Sequence, residues 1–373
     1  MSPPAEPLFP PRGERPYDAA AVETFPWPVT AGYEDLHRWM DGCQAVHAAW
    51  QLRDVWEGLL KFLGTLAVAD YLAVVPPEDE RCKPLLRQML QKSGLTNGSW
   101  ATLLEIALKD GPLPGSRLPE LGPLLFKNGK HQRLFRLLQH NSKDIAADSF
   151  IGWRNRVFGH GVFRKDVGSY AREALHWLGR LHEAFDLCRP LFTSLTLESD
   201  GPNGEILTWG EKSPLPFYHG HRSAPGGPHL PPVRVRTSGS ETLLLTPLLS
   251  VQLCVVCGQW TAFYLDKYDR EKHRAQFLDF IEGHNNDHKD LEPLRTWTAR
   301  LGDAKAPQPE RDEPREPDPE RFRDFQHEFE PPVYLARRVA DFLRSHDRGV
   351  LLERRGVGES NSVEKRLQAG PHL

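Results

Sequence analysis

Long apolar runs are missing from this 373-residue chain: no stretch approaches the roughly 18 consecutive apolar residues that a membrane-spanning helix requires. No membrane partner is therefore expected. A strong charge of either sign is missing too, since 47 lysines and arginines face 50 aspartates and glutamates, a net charge of −3. That balance excludes a chain-wide basic surface for nucleic acid, so any RNA contact has to be local. Cysteines are few, at positions 43, 82, 188, 254 and 257, and an odd number in a long chain reads as reduced thiols and not as a disulfide framework. The segment from Met1 to Pro16 is proline-rich and has no apolar centre of the signal-peptide kind, which makes the cytoplasm the expected compartment. Also absent are a Gly-x-Ser-x-Gly elbow, a His-Glu-x-x-His zinc helix and any internal repeat.

What is present is hydrophobic periodicity, in a chain whose apolar fraction of 39% suffices for packed cores. Residues 1–30 hold eight prolines and read as a proline-rich tail that docks at Phe25 and Trp27. From Tyr33 onward, Leu36, Trp39, Cys43, Val46 and Trp50, then Leu52, Val55, Leu59, Phe62 and Leu66, recur at three- and four-residue steps. That spacing predicts one long amphipathic helix, or two meeting near Gln51. Ser99 is the expected N-cap of a helix over Trp100 to Leu108, and Ser142 or Asp144 the expected start of one running through Arg154 to His160, with Gly161 at its C-terminus. Val167 to Phe192 completes a helical bundle spanning 31–192. The tryptophans at 39, 50, 56, 100, 153 and 177 fall on its apolar faces, where packing explains them.

Past Pro190 the period falls towards two. Thr193–Leu197, Ile206–Trp209, Val233–Arg236, Thr242–Val256, Thr261–Tyr268 and Ala275–Ile281 read as strands of a small β-rich domain over 193–302. A charged, proline-rich linker at 303–321 is expected to be disordered, and 322–373 to carry a short further element. The fold class is thus α+β, an N-terminal helical bundle followed by a β-rich domain.

Candidate chemistry concentrates in Ser149-Phe-Ile-Gly-Trp-Arg154-Asn155-Arg156-Val-Phe-Gly-His160-Gly161. Arginine, an amide and histidine beside a helix end suit a phosphate better than a core. The Arg154, five-residue gap, His160 pattern resembles the Arg-x(4–6)-His signature of HEPN domains, helical bundles many of which cleave RNA without metal. The resemblance implies that Arg154 grips the phosphate, Asn155 orients it, and His160 is the general base, with two protomers pairing their motifs in a homodimer. The helix wheel offers a different partner, because Arg156 and His160 are four apart and share a face whereas Arg154 and His160 do not. Arg156 is therefore retained as an auxiliary phosphate-binding residue.

Two further motifs are present. Cys254 and Cys257 sit at the spacing that lets two thiolates reach one zinc, with His284 and His288, or His219 and His221, as further donors. The alternative is a pair of small apolar residues at a hairpin turn and no cofactor. Near the C-terminus, Gly349 to Ser360 resembles the opening of STAND-type P-loop NTPases, but Glu359 replaces the phosphate-binding lysine and Glu353 the first glycine. Only thirteen residues follow Ser360, so ATPase activity is not expected. Two functions stand at this point: a metal-independent HEPN-type endoribonuclease acting on RNA, in bacterial defence or stress signalling, and a non-catalytic HEPN-like sensor that regulates a partner protein.

Overall fold

A thirty-residue helix organises the chain. The structure, a computed structural model, describes residues 7–91, 93–139, 149–158, 166–200, 206–209, 230–239, 241–254, 256, 260–279 and 283–301. Its helices are α1 (Ala19–Thr24), α2 (Trp27–Thr30), α3 (Tyr33–Asp41), α4 (Ala45–Val74), α5 (Lys83–Met89), α6 (Asn97–Leu108), α7 (Leu121–Leu125), α8 (Arg133–Leu138), α9 (Phe150–Val157), α10 (Val167–Phe192) and α11 (Glu292–Arg300). The strands are β1 (Phe126–Lys127), β2 (Lys130–His131), β3 (Thr196–Asp200), β4 (Ile206–Trp209), β5 (Val233–Arg236), β6 (Thr242–Leu244), β7 (Leu249–Leu253), β8 (Trp260–Asp269), β9 (Arg274–Leu278) and β10 (Asn285–Lys289). The fold is α+β, with ten of the eleven described α-helices ahead of the eight strands β3 to β10. None of the described helices is long and apolar enough to cross a membrane.

From Val55 to Asp70, α4 is buried on every face, so neighbours must surround it. α2, α3, α6 and α10 do so. The break between α3 and α4 falls at Gly42 and Cys43, not near Gln51 as the periodicity predicts, because Cys43 adopts a left-handed φ of 53° that no helix continues through. Trp56, Phe150, Trp153 and Trp177 form one aromatic cluster, with Trp153 and Trp177 stacked at 5.1 Å and Trp56 stacked on Phe150 at 5.5 Å. That cluster pins the short α9 between α4 and α10.

Several expectations need correcting. The proline-rich segment before residue 30 packs at Phe25 and Trp27 but is not without helix: α1 and α2 form there, Phe9 and Phe25 are buried, and Phe25 meets Phe185 and Phe192 edge-on. Prolines are tolerated because Pro26 caps α2 and Pro28 sits in its first turn, where no intrahelical amide bond is lost. α6 begins at Asn97 because the N-cap is Thr96, whose hydroxyl accepts from the Ser99 amide. α9 begins after Ser149, whose hydroxyl accepts from the Gly152 amide. The expected starts at Ser142 and Asp144, and the helix's continuation to His160 and Gly161, lie outside the described residues.

Among the described strands β1 and β2 pair with each other, and the other eight form two four-stranded antiparallel sheets, ordered β4-β3-β5-β6 and β10-β9-β8-β7. The long strand expected over 242–256 is two, separated by the cis Thr246–Pro247 bond. β10 is too polar to be read from hydrophobic alternation, and α11 too short. The sheets do not form a unit of their own; residues 1–304 make one. Cross-contacts explain this: the Leu95 amide donates to the Asp266 carbonyl at 2.6 Å, the Arg270 guanidinium to the Leu90 carbonyl at 2.8 Å, and Trp100 meets Tyr264 edge-on. The proline-rich linker and the phosphate-loop remnant lie outside the described residues.

Gly64 allows α4 and α6 to touch, since a Cβ there would lie 2.6 Å from Trp100 Cε3, and Trp100 is fully buried and has nowhere to go. Gly64→Ala should therefore cost about 1–3 kcal/mol by overpacking. Gly179→Ala, on the exposed face of α10 with nothing within 4 Å, should instead stabilise by about 0.5–1 kcal/mol through helix propensity. Urea denaturation of both variants checks the pair; equal effects would refute the packing argument.

Candidate functional site

α4 is apolar along most of its length, yet it carries Asp54, Glu57 and Lys61 at steps of three and four, which puts all three on one face. That face meets the start of α6 and one side of α9 only through polar groups. It opens onto a cleft of about 770 Å³ between the bundle and the second sheet. The size lies within the range of small-molecule sites, roughly 300–1,000 Å³.

Each neighbouring element contributes one or two polar groups. Asn97, at the start of α6, donates its amide to Glu57 Oε1 at 3.0 Å. α9 contributes Arg154 and Asn155, with Arg154 Nε 3.5 Å from Glu57 Oε1 and Arg154 Nη1 donating to Asn155 Oδ1 at 3.4 Å. The Nε of Arg154 is shielded from solvent and makes no hydrogen bond. Lys61 Nζ lies 3.9 Å from Glu57 Oε2, and its side chain is only 3% exposed. Arg53 stacks over Trp50 at 4.2 Å and donates to Asp54 Oδ1 at 2.9 Å. Asp266 comes from an irregularity in β8, where the pairing with β9 slips between Leu265 and Lys267. Such bulges re-aim a side chain that regular pleating would turn elsewhere. Asp279, at the end of β9, lines the same cleft.

Removal from water dominates the electrostatics. Burial pushes the Asp54 carboxyl up to about 7, against the pull of the adjacent Arg53 guanidinium. Burial likewise pushes the Lys61 ammonium down to about 8, opposed by Glu57 and Asp266, and raises Asp266 above the usual carboxylate range. A cleft holding an acid and a base displaced towards neutrality has the chemistry of a functional site.

The structure separates the motif residues. Arg154 and Asn155 face this cleft, where Glu57 partly neutralises the arginine. Arg156 points to a second, smaller cleft of about 320 Å³, together with Ser169, Arg172 and His176, and its nearest acid is Glu173 at 3.9 Å. Two residues along a helix amount to about 200°, which accounts for the divergence. His160 lies outside the described residues, so its distance from either arginine is not defined. The sequence reading did not single out Asp54, Glu57, Lys61, Asp266 or Asp279. For the first three a signal existed: charges inside an otherwise apolar, fully buried helix require a polar reason. For the last two the signal lies in a bulge and a turn, which hydrophobic spacing does not show.

Among the described residues no group of three His, Cys, Asp or Glu side chains is gathered as for a metal. Cys254 Sγ does lie 3.3 Å from His284 Nδ1, whereas His288, the other expected donor, turns to Gln252 at 3.3 Å. Cys257, His219 and His221 lie outside the described residues. Compared with protein-family models, with curated proteins and with solved structures, the chain matches none.

The displaced carboxyl predicts a pH dependence. Folded Asp54 keeps its proton up to about pH 7 while the unfolded chain releases it near 3.9, so the native state binds more protons in between. This contribution is full below the unfolded pKa and is lost as pH rises through about 7. Asp54→Asn should therefore remove part of the fall in melting temperature between about pH 5 and 8. Parallel wild-type and variant curves over that range would sink the assignment.

Proposed function

We propose that this protein is a HEPN-like sensor module that does not itself cleave RNA, and that it takes a small polar molecule into the cleft between α4, α9 and the second sheet to regulate a partner protein. The observation that carries this is the Glu57–Arg154 contact. A HEPN-type ribonuclease needs its motif arginine free to meet a phosphate on an open face. Here Arg154 leans on Glu57 inside the chain's own cleft, alongside Asp54, Asp266 and Asp279. Those four carboxylates stand against three cations, Arg53, Lys61 and Arg154, which leaves no cationic surplus to draw in a phosphodiester. They suit a ligand bearing amino or hydroxyl donors, with one acceptor for the solvent-shielded Arg154 Nε and the Asn155 amide.

A second reading is favoured by the smaller cleft. Arg156, Arg172 and His176 line this pocket, where Arg156 has Glu173 at 3.9 Å and Arg172 is paired with Asp166 at 3.2 Å, and Arg156 is the arginine that the helix wheel pairs with His160. In that reading RNA cleavage runs through Arg156 and His160 and leaves Arg154 uninvolved.

One set of measurements separates the two. Purified protein should leave a broad RNA panel intact in EDTA. In calorimetry against nucleosides, amino acids and polyamines, at least one compound should bind wild type and lose about tenfold or more in affinity with Arg154→Ala or Glu57→Gln, an effect equivalent to about 1.4 kcal/mol. RNA cleavage in EDTA that is abolished by His160→Ala and Arg156→Ala but survives Arg154→Ala would establish the second reading and overturn the first.

A further inference from the structure

The segment ahead of α2 is strapped to α3 and α10 by polar contacts as well as by Phe25. At its first anchor the Arg15 side chain, 1% exposed, donates to the His37 carbonyl at 2.9 Å and to Asp41 Oδ1 at 2.6 Å. At the second, Asp18 caps α1, its carboxylate accepting from the Ala21 amide at 2.9 Å and from the Arg189 guanidinium of α10. The Asp18 amide donates to the Tyr33 hydroxyl at 3.0 Å, and that hydroxyl lies 2.6 Å from His182 Nε2. One phenol thereby joins the strap, α3 and α10.

Counting donors at this phenol fixes the state of the histidine. Tyr33 is fully buried and its oxygen already accepts from the Asp18 amide, so its own hydrogen needs an acceptor. Among the described residues His182 Nε2 is the acceptor within hydrogen-bond distance. A neutral ring with its proton on Nδ1 meets that need. A doubly protonated ring does not: it sets a second hydrogen against the phenol's and leaves the latter without an acceptor, away from water. The phenol cannot yield by ionising, because burial raises its pKa. Of the charges facing His182, Asp18 on the strap and Asp186 on α10 favour the protonated ring and Arg189 on α10 opposes it; burial outweighs them, and the His182 pKa falls below the usual imidazole value. His37, the other imidazole on this face, is held down to about 3 by burial and by Arg15 and Arg12, and Tyr17 and Glu34 bond to each other. Arg189 and the Ala21 amide keep Asp18 ionised below the usual carboxylate range.

We propose that His182 is a proton-operated latch: its neutral ring holds the strap closed through Tyr33 and Asp18, and its protonation loosens the strap from α10, freeing Phe25 from Phe185 and Phe192. In the open strap the ring titrates at the ordinary value near 6.5, and in the closed strap lower, so the closed form binds fewer protons. Closure is therefore at full strength above about pH 6.5 and weakens as pH falls, by up to about tenfold per unit, until the closed-form pKa is reached. The sign is opposite to that of Asp54, whose contribution is lost as pH rises. The latch does not depend on what the cleft binds.

The test is hydrogen exchange on the full chain, read as protection factors at about pH 7.5 and about pH 5. The strap reporters are the Ala21 amide, bonded to the Asp18 carboxylate, and the Phe25 amide, bonded to the Ala21 carbonyl; buried α4 amides are the reference. In wild type the strap should lose about threefold or more of its protection relative to α4 on acidification. His182→Gln, whose side-chain carbonyl still accepts from Tyr33 but takes up no proton, should lose little. An NMR titration of the His182 ring in wild type should give a midpoint below 6.5 that coincides with the loss of strap protection, and it decides the matter if the variant fails to fold. Strap protection that is unchanged in wild type, or that falls equally in folded His182→Gln, overturns the proposal, as does a ring midpoint at or above 6.5.

Discussion

The Lys61 ammonium is the constraint around which the site is arranged. Its side chain is almost wholly withdrawn from water, and an unpaired charge in that position costs several kcal/mol, about the stability margin of many domains. Compensation comes from Glu57 one turn earlier on the same helix and from Asp266 on the second sheet. Glu57 in turn collects the Asn97 amide and approaches the Arg154 guanidinium. One buried cation therefore commits α4, α6, α9 and β8 to converge on a common polar volume. The hydrophobic core around α4 sets how tightly they approach; the charges set which faces they turn inward.

The short helix α9 shows how this constraint bears on function. Its apolar residues Phe150, Trp153 and Val157 are buried, which fixes its rotation. Arg154 and Asn155 then have to follow the cleft side, and Arg156 the side shared with α10. A motif that reads as one phosphate grip along the sequence is divided between two surfaces. The cleft that receives Arg154 holds four carboxylates beside Arg53 and Lys61, and the pocket that receives Arg156 holds Arg172, His176 and Glu173. Shifted proton affinities at Asp54, Lys61 and Asp266 lie in the first of these, which gives it the greater chemical potential for recognition of a polar ligand.

Much of the helical half is legible in the sequence because burial there is periodic. The order of the bundle, the identity of α10 and the packing role of the buried tryptophans all follow from three- and four-residue spacing. The errors fall where a local side-chain bond or a backbone angle overrides spacing: Thr96 and not Ser99 caps α6, and Cys43 in a left-handed conformation breaks the chain before α4. Proline density around residues 1–30 argues against helices there, yet α1 and α2 form, and Phe9 is buried beside the expected docking residue Phe25. β10 is hidden because Asn285-Asn-Asp-His-Lys289 contains no apolar residue to alternate.

The sequence by itself determined the α+β class, the run of helices before strands, the reduced state expected of the cysteines, and the fact that arginine, asparagine and histidine cluster around positions 154–160. These depend on composition and local periodicity, which are properties of neighbouring residues. Only the tertiary structure decided that Arg154 and Arg156 part company, that Asp54, Glu57 and Lys61 share a cleft with Asp266 and Asp279, and that Cys254 finds His284 thirty residues away. Those outcomes depend on the rotation of each helix about its buried face and on the register of a meander, and both are set by contacts between residues far apart in the chain.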